Sequence, residues 1–251
     1  MSLLSPRLRI AVTPGRVAVA SGNSYRDAAV AVPGWAGAME ALAGLLKGSS
    51  QRSRASVTLS HHFAPVHLLP SPPMALKPVE MQGWIRDTLA RQFGETSRDW
   101  QVAWQAEPSG EPFLAGSLES ERLTELNSVL RAASLKPVDV QPWLVATWNR
   151  RRRHLGHGRA WFAMAEPDRV TLMQLEAGHV RSVRSTLMQG DAVAALTDLL
   201  TREALLAGET TPAPLWVESA LPSVNWQGVG GGRSVHPLTS GREALSALLG
   251  N

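Results

Sequence analysis

Leu8-Arg9-Ile10-Ala11-Val12-Thr13-Pro14-Gly15-Arg16-Val17-Ala18-Val19-Ala20 is the stretch that decides the fold. Two short apolar runs flank a Thr-Pro-Gly triplet, which reads as strand, tight turn and returning strand. The figure recurs: Ala160–Ala165 and Val170–Leu175 flank Glu166-Pro167-Asp168-Arg169. In each half a further extended segment follows, then an apolar helix. A three-strand-and-helix unit used twice in 251 residues predicts an α/β protein of two related lobes facing a cleft.

Working outward, Ala28–Val32 is the expected third strand, ended by Pro33-Gly34, and Trp35 to Leu46 has helical spacing with Gly48 as its stop. The polar, basic stretch Gly48–Arg54 reads as a surface linker. Ser56–Ser60 and Phe63–Leu69 are extended, the latter broken by Pro65. Val79–Phe93 is amphipathic, with Met81, Trp84, Ile85, Leu89 and Phe93 on one face. Gln101–Gln105 and Pro112–Ser117 are expected to pair across a turn at Pro108-Ser109-Gly110. Ser117 or Ser120 is the expected cap of a helix running to Ala133. A strand at Pro137–Val140 precedes a helix from Gln141 to Arg152, started by Pro142. The second half offers strands near 160–165, 170–175 and 179–187, a helix from Asp191 to Leu206, a strand at Leu215–Glu218 and a closing helix from Ser240 to Leu249.

The chain carries 25 Lys and Arg against 21 Asp and Glu, nine Trp against four Phe and one Tyr, and no Cys. Without Cys, disulfides, thiolate catalysis and zinc–thiolate sites are excluded. A net charge of +4 permits acidic partners without demanding nucleic acid. The segment Met1–Arg9 lacks the pattern of a signal peptide, and there is no apolar run of about 18 residues, so a soluble protein is expected.

The order of three strands, helix, strand, helix, strand resembles the ribonuclease-H-like lobe that is doubled in actin-like ATPases. More narrowly, Leu59-Ser60-His61-His62-Phe63-Ala64-Pro65-Val66-His67-Leu68-Leu69-Pro70 is similar to a strand pair in the PilM and GspL relatives of bacterial type IV pilus and type II secretion platforms. As in that group, a helix with Trp84 and Phe93 and a strand entered at Trp100 follow. Val138-Asp139-Val140-Gln141-Pro142 to Asn149 resembles the strand and helix leading into the second lobe, and Leu172, Gly178 and Arg184 resemble the second-lobe hairpin. The resemblance implies duplicated ribonuclease-H-like lobes with mixed sheets, a first lobe over residues 1–150 and a shorter second one over 151–251. It further implies a cytoplasmic scaffold peripheral to the inner membrane. A groove between subdomains would take the cytoplasmic segment of a bitopic partner in the position of PilN, or a secretion ATPase.

Actin-like ATPases hold Mg-ATP between two hairpin turns, each with an Asp near the end of its first strand followed by Gly and small hydroxyl residues. Turn amides cradle phosphate while the carboxylate orients metal-bound water. Here the first turn, Val12-Thr13-Pro14-Gly15, has no carboxylate, and Pro14 removes an amide. In the second, the Asp position falls at about Ala163 and the Gly near Ala165, and Glu166 and Asp168 occupy the turn itself. No cofactor and no catalysis are therefore expected. The alternatives are an actin-like ATPase or kinase with a degenerate nucleotide site, or a nucleic-acid binder.

Gly228-Val229-Gly230-Gly231-Gly232-Arg233-Ser234 reads either as a remnant of the superfamily's adenosine loop or as a flexible surface loop. It is not a Walker loop. Ser60-His61-His62 lies outside any nucleophile elbow, and on a strand the two imidazoles would point to opposite faces. The densest charge is Arg150-Arg151-Arg152-Arg153-His154, followed by His157 and Arg159. Such a run is favourable at a helix C-terminus as a solvated end. As a binding feature, Arg150 to Arg153 with Trp148 would meet an acidic peptide, an anionic membrane face or, last in order, nucleic acid. Most of the Trp residues are expected in the core, with one or two lining a groove for an apolar peptide.

Overall fold

The computed structural model describes residues 7–48, 53–105, 110–155, 158–221 and 223–238. The chain divides into two compact units, Met1–Ala146 and Thr147–Asn251. The first runs β1 (Arg7–Val12), β2 (Arg16–Ser21), β3 (Ser24–Ala29), α1 (Trp35–Leu46), β4 (Ser53–Leu59), β5 (Val66–Leu69), α2 (Pro78–Phe93), β6 (Trp100–Trp104), β7 (Phe113–Glu119), α3 (Ser120–Ala132) and β8 (Leu135–Pro142). The division falls within α4 (Trp143–Arg151). The second continues with β9 (Ala160–Glu166), β10 (Arg169–Glu176), β11 (His179–Leu187), α5 (Ala192–Leu206), β12 (Leu215–Ser219) and β13 (Val235–Pro237).

The two main sheets have one topology. In the first unit the order is β3-β2-β1-β4-β8, in the second β11-β10-β9-β12-β13. In each, three strands form an antiparallel meander and the next two add in parallel. These are mixed sheets of the duplicated, ribonuclease-H-like kind. Alternation in β1 and β2 turns Ile10, Val12, Val17 and Val19 onto a core shared with Met39, Leu42 and Leu46 of α1 and Leu126 and Leu130 of α3. Truncating a fully buried leucine such as Leu42 to alanine costs about 2–5 kcal/mol. In the second unit Trp161, Ala163 and Leu172 pack on Leu196, Leu199 and Leu200 of α5.

The first unit also carries a small antiparallel sheet, β5-β7-β6, backed by α2 through Ile85, Leu89, Leu69 and Phe113. The helix starts at Pro78, where the Lys77 amide donates to Glu80 Oε2 at 2.8 Å. Gly37 on α1 marks a close approach: a Cβ there would lie 2.1 Å from the Val32 carbonyl oxygen.

Several expectations are corrected. The third strand spans 24–29, not 28–32, because it is a solvated edge strand whose residues show no apolar alternation. Val32, in the expected strand, is 72% exposed. Residues 60–64 form a turn before β5. Neither Ser117 nor Ser120 caps α3: Ser117 Oγ bonds His67, and Ser120 Oγ donates to the Asp99 carbonyl. Pro142 ends β8, an edge strand where a missing amide is tolerated, and the helix begins one residue later. The Pro108-Ser109 turn, most of the 48–54 linker and the closing helix at 240–249 lie outside the described residues.

Candidate functional site

The turn after β1 is tied up internally. The Thr13 amide donates to the Arg16 carbonyl at 2.9 Å, and the Arg16 amide returns to Thr13 Oγ1 at 3.0 Å. Pro14 has no amide. The Thr13 and Arg16 amides are thus engaged within the turn, and Pro14 has none to offer a phosphate. Their carbonyl neighbours are used too, Gly15 accepting from Val30 and Pro14 from Gly34, each at 3.0 Å. Arg16 itself pairs with Asp27 at 2.8 Å.

The turn after β9 is equally far from a cradle. Glu166 and Arg169 pair across it, leaving Pro167 and Asp168 at its tip. Asp168 presents a carbonyl, which the Met188 amide meets at 2.8 Å. Ala163 and Ala165, the positions where Asp and Gly would be needed, are fully buried in the strand between β10 and β12. Among the described residues no group of three metal-ligating side chains converges.

The glycine-rich segment runs along the surface with Gly228 and residues 230–232 exposed, and is anchored by buried residues between and beside them. Trp226 and Val229 are buried, and Gly228 and Gly230 lie under Val193 and Thr197 of α5. Arg233 meets Glu209 at 3.0 Å, with both side chains almost wholly buried. Burial pushes the Glu209 carboxyl up. Hydrogen bonds from Arg233, the Ala213 amide and Trp161 Nε1, with the Arg233 charge, outweigh it and hold the carboxyl below its ordinary range.

Ser60, His61 and His62 lie between β4 and β5. Contrary to the strand expectation, they lie in the turn after β4, where the His62 amide donates to Ser60 Oγ at 3.1 Å. Ser60 is fully buried, and His62 packs edge-on against Phe63.

The arginine run divides. Arg150 reaches Thr147 Oγ1 at 3.3 Å and stands 3.9 Å from Glu218, and Arg151 donates to the Leu238 carbonyl at 3.3 Å. Arg152 and Arg153, in a 3-10 turn, are exposed. Trp148 is 5% exposed and belongs to the interior. His157 lies outside the described residues. Glu218, on the central strand β12, is fully buried, and its oxygens accept no hydrogen bond among the described residues. Desolvation raises its pKa against the pull of Arg150 and Arg151, and the same burial lowers that of Arg150. Sequence reading passed over Glu218, though a lone acid directly after the apolar run Leu215–Val217 was its signal.

Sequence reading also left open which Trp meets which Arg at a surface. In the first unit Trp35 packs edge-on to Phe63 with centroids 5.1 Å apart, and Arg122 lies 5.8 Å above the indole. Trp35 Nε1 donates to Glu125 at 2.7 Å, and Arg122 pairs with Glu119 at 2.9 Å. This partly exposed aromatic–guanidinium–carboxylate patch has the chemistry of an interface anchor.

No family model and no curated protein sequence matches the chain. Solved structures do match, and they define its class as the actin-like ATPase fold. Over 97% of this chain and 94% of the other, it is similar to the cytoplasmic domain of EpsL, an inner membrane component of the type II secretion system of Vibrio cholerae, with TM-score 0.62 and 14% identity. It is similar to a chain of the PilM–PilN type IV pilus biogenesis complex, with TM-score 0.67 and 15% identity over 97% and 90% of the two chains. A Bacteroides thetaiotaomicron protein with an actin-like ATPase fold and unknown function gives TM-score 0.65 and 10% identity over 98% and 96%. No helix among the described residues is long and apolar enough to cross a membrane.

Proposed function

We propose that this chain is a non-enzymatic scaffold of a type IV pilus or type II secretion assembly platform. It would work in the cytoplasm against the inner membrane and hold the cytoplasmic segment of a bitopic partner. The reading is supported by a fold shared with an EpsL cytoplasmic domain and with a chain of a PilM–PilN complex. The observation that carries it is the hydrogen bonding of the first hairpin turn, where Thr13, Pro14 and Arg16 have no amide to offer phosphate. Neither turn has a carboxylate where the fold would orient Mg²⁺-bound water. A fold of this kind without that chemistry is suited to binding, with the Trp35–Phe63–Arg122 patch of the first unit as the anchor for a partner segment.

The full chain, tagged and recovered from membrane extract, is expected to bring down a single-span inner-membrane assembly protein. A synthetic peptide of that protein's cytoplasmic segment is then titrated by fluorescence anisotropy. Trp35→Ala and Arg122→Ala should each weaken it about tenfold or more, as hot-spot truncations do. Recovery of no membrane assembly protein, or peptide binding indifferent to both substitutions, contradicts the reading.

A further inference from the structure

Glu218 lies on β12, which runs between β9 and β13. Its side chain is fully buried, and neither carboxylate oxygen accepts a hydrogen bond among the described residues. Leu215 and Val217 of the same strand pack on the α5 side of the sheet. Alternation therefore turns Trp216 and Glu218 to the opposite face, where Glu218 meets the last turn of α4. The second unit begins in that turn, at Thr147.

Two cations face the carboxyl group from α4, and neither donates a hydrogen bond to it. Arg150 stands 3.9 Å away and reaches Thr147 Oγ1 of its own helix at 3.3 Å, while Arg151 donates to the Leu238 carbonyl at 3.3 Å. An ionised carboxylate draws a neighbouring guanidinium in to about 2.7–2.9 Å through hydrogen bonds. The looser spacing here, in a site closed to solvent, fits a neutral acid. Burial raises the Glu218 pKa against the opposing pull of Arg150 and Arg151, in keeping with that geometry. From β9, Met164 stands opposite Glu218, and Glu166 lies two residues further along the same face with Arg169 across from it. From β13 comes His236, stacked on Trp216 with ring centroids 4.3 Å apart.

We propose that the charge of Glu218 governs how firmly the last turn of α4 is seated on β12 and β13: the turn is closed while the carboxyl is neutral and opens when it ionises. Opening admits water to the carboxylate and lets the Arg150 and Arg151 guanidinium groups turn toward it. The sign follows from linkage. The closed form binds the proton more tightly than an open one, so rising pH favours opening until the carboxyl is ionised in both. Leu238 carries the change into the sheet, because its carbonyl holds Arg151 while its amide donates to the Val217 carbonyl at 2.8 Å. The pH thus sets how firmly the second unit holds the helix through which the chain enters it.

Hydrogen exchange of the full chain, read by mass spectrometry from about pH 4 to about pH 9, compares wild type with Glu218→Gln. The variant keeps the shape of the side chain and cannot ionise. Comparison at equal pH cancels the intrinsic exchange rate, and both proteins keep His236, Glu166 and Arg169. In peptides covering residues 147–151 and Leu238, the ratio of wild-type to variant rates should be level below the ordinary carboxyl pKa of 4.5. Above it the ratio should climb by up to about tenfold per pH unit, and level off once the closed form ionises. Arg150→Met, which removes the nearer cation, should carry the climb to higher pH. Circular dichroism checks that the variants keep their fold. If Glu218→Gln does not, the ratio of Arg150→Met to wild type decides alone: it should stay level until the closed wild type ionises and climb beyond. A flat or falling ratio overturns the proposal, as does a climb of equal size in α1 of the first unit, which would assign the effect to unfolding of the whole chain. So does a levelling-off pH unmoved by Arg150→Met.

Discussion

His67 sits between Phe93 and Trp100, with ring centroids 4.8 and 6.2 Å away, and its Nε2 meets Ser117 Oγ at 2.9 Å. Burial lowers its pKa from 6.5 to about 4. The unfolded chain therefore binds a proton at a pH where the folded one does not, so stability is lost as pH falls from above 6.5 toward 4. Between about pH 7.5 and about pH 5, this group should cost about 2 kcal/mol. Urea unfolding at the two pH values measures it, and His67→Leu should remove that share of the slope; an unchanged slope would assign it elsewhere. Such a site was not legible in the sequence. The three partners come from α2, β6 and β7, and nothing within ten residues of His67 announces Trp100 or Ser117. The same holds for Trp148, whose burial depends on tertiary packing, and for the division of Arg150–Arg153 into inward and outward pairs. Asp191 was legible, because an N-cap is a local contact: its carboxylate accepts from the Ala194 amide at 2.7 Å.

The helices were readable as elements because each buries one stripe. Trp35–Leu46 and Val79–Phe93 differ from the observed spans by at most one residue. Edge strands were not: β3 is Ser-Tyr-Arg-Asp-Ala-Ala, mostly exposed, and β13 is only three residues long. The register of α1 against the chain before it rests on Gly37, where an added Cβ would meet Val32 O at 2.1 Å and Val30 Cγ1 at 2.8 Å. Helix propensity alone favours alanine by about 1 kcal/mol. The clash reverses the sign, so Gly37→Ala should destabilise by about 1–3 kcal/mol. Gly44→Ala, on the same helix with no atom within 4 Å of the added methyl, should stabilise instead. Thermal unfolding of the two variants separates the effects, and a Gly37→Ala protein as stable as wild type would remove the packing constraint.

For the molecule as a whole, the doubled strand order was legible because the two hairpins recur with the same period-two pattern. The β5-β7-β6 sheet, carried by the first unit in addition, was legible only as separate strands, since pairing β5 with β7 closes a loop that contains a helix and another strand. The missing carboxylates were visible in the sequence. That the Thr13 and Arg16 amides of the first turn are spent on its own carbonyl and hydroxyl was not, because it depends on the turn's geometry. Together these features support the proposal that this actin-like fold serves as a holder and not a hydrolase. Isothermal titration of the full chain with Mg-ATP tests that claim most directly: the account predicts no binding heat, and saturable binding with a micromolar Kd would contradict it.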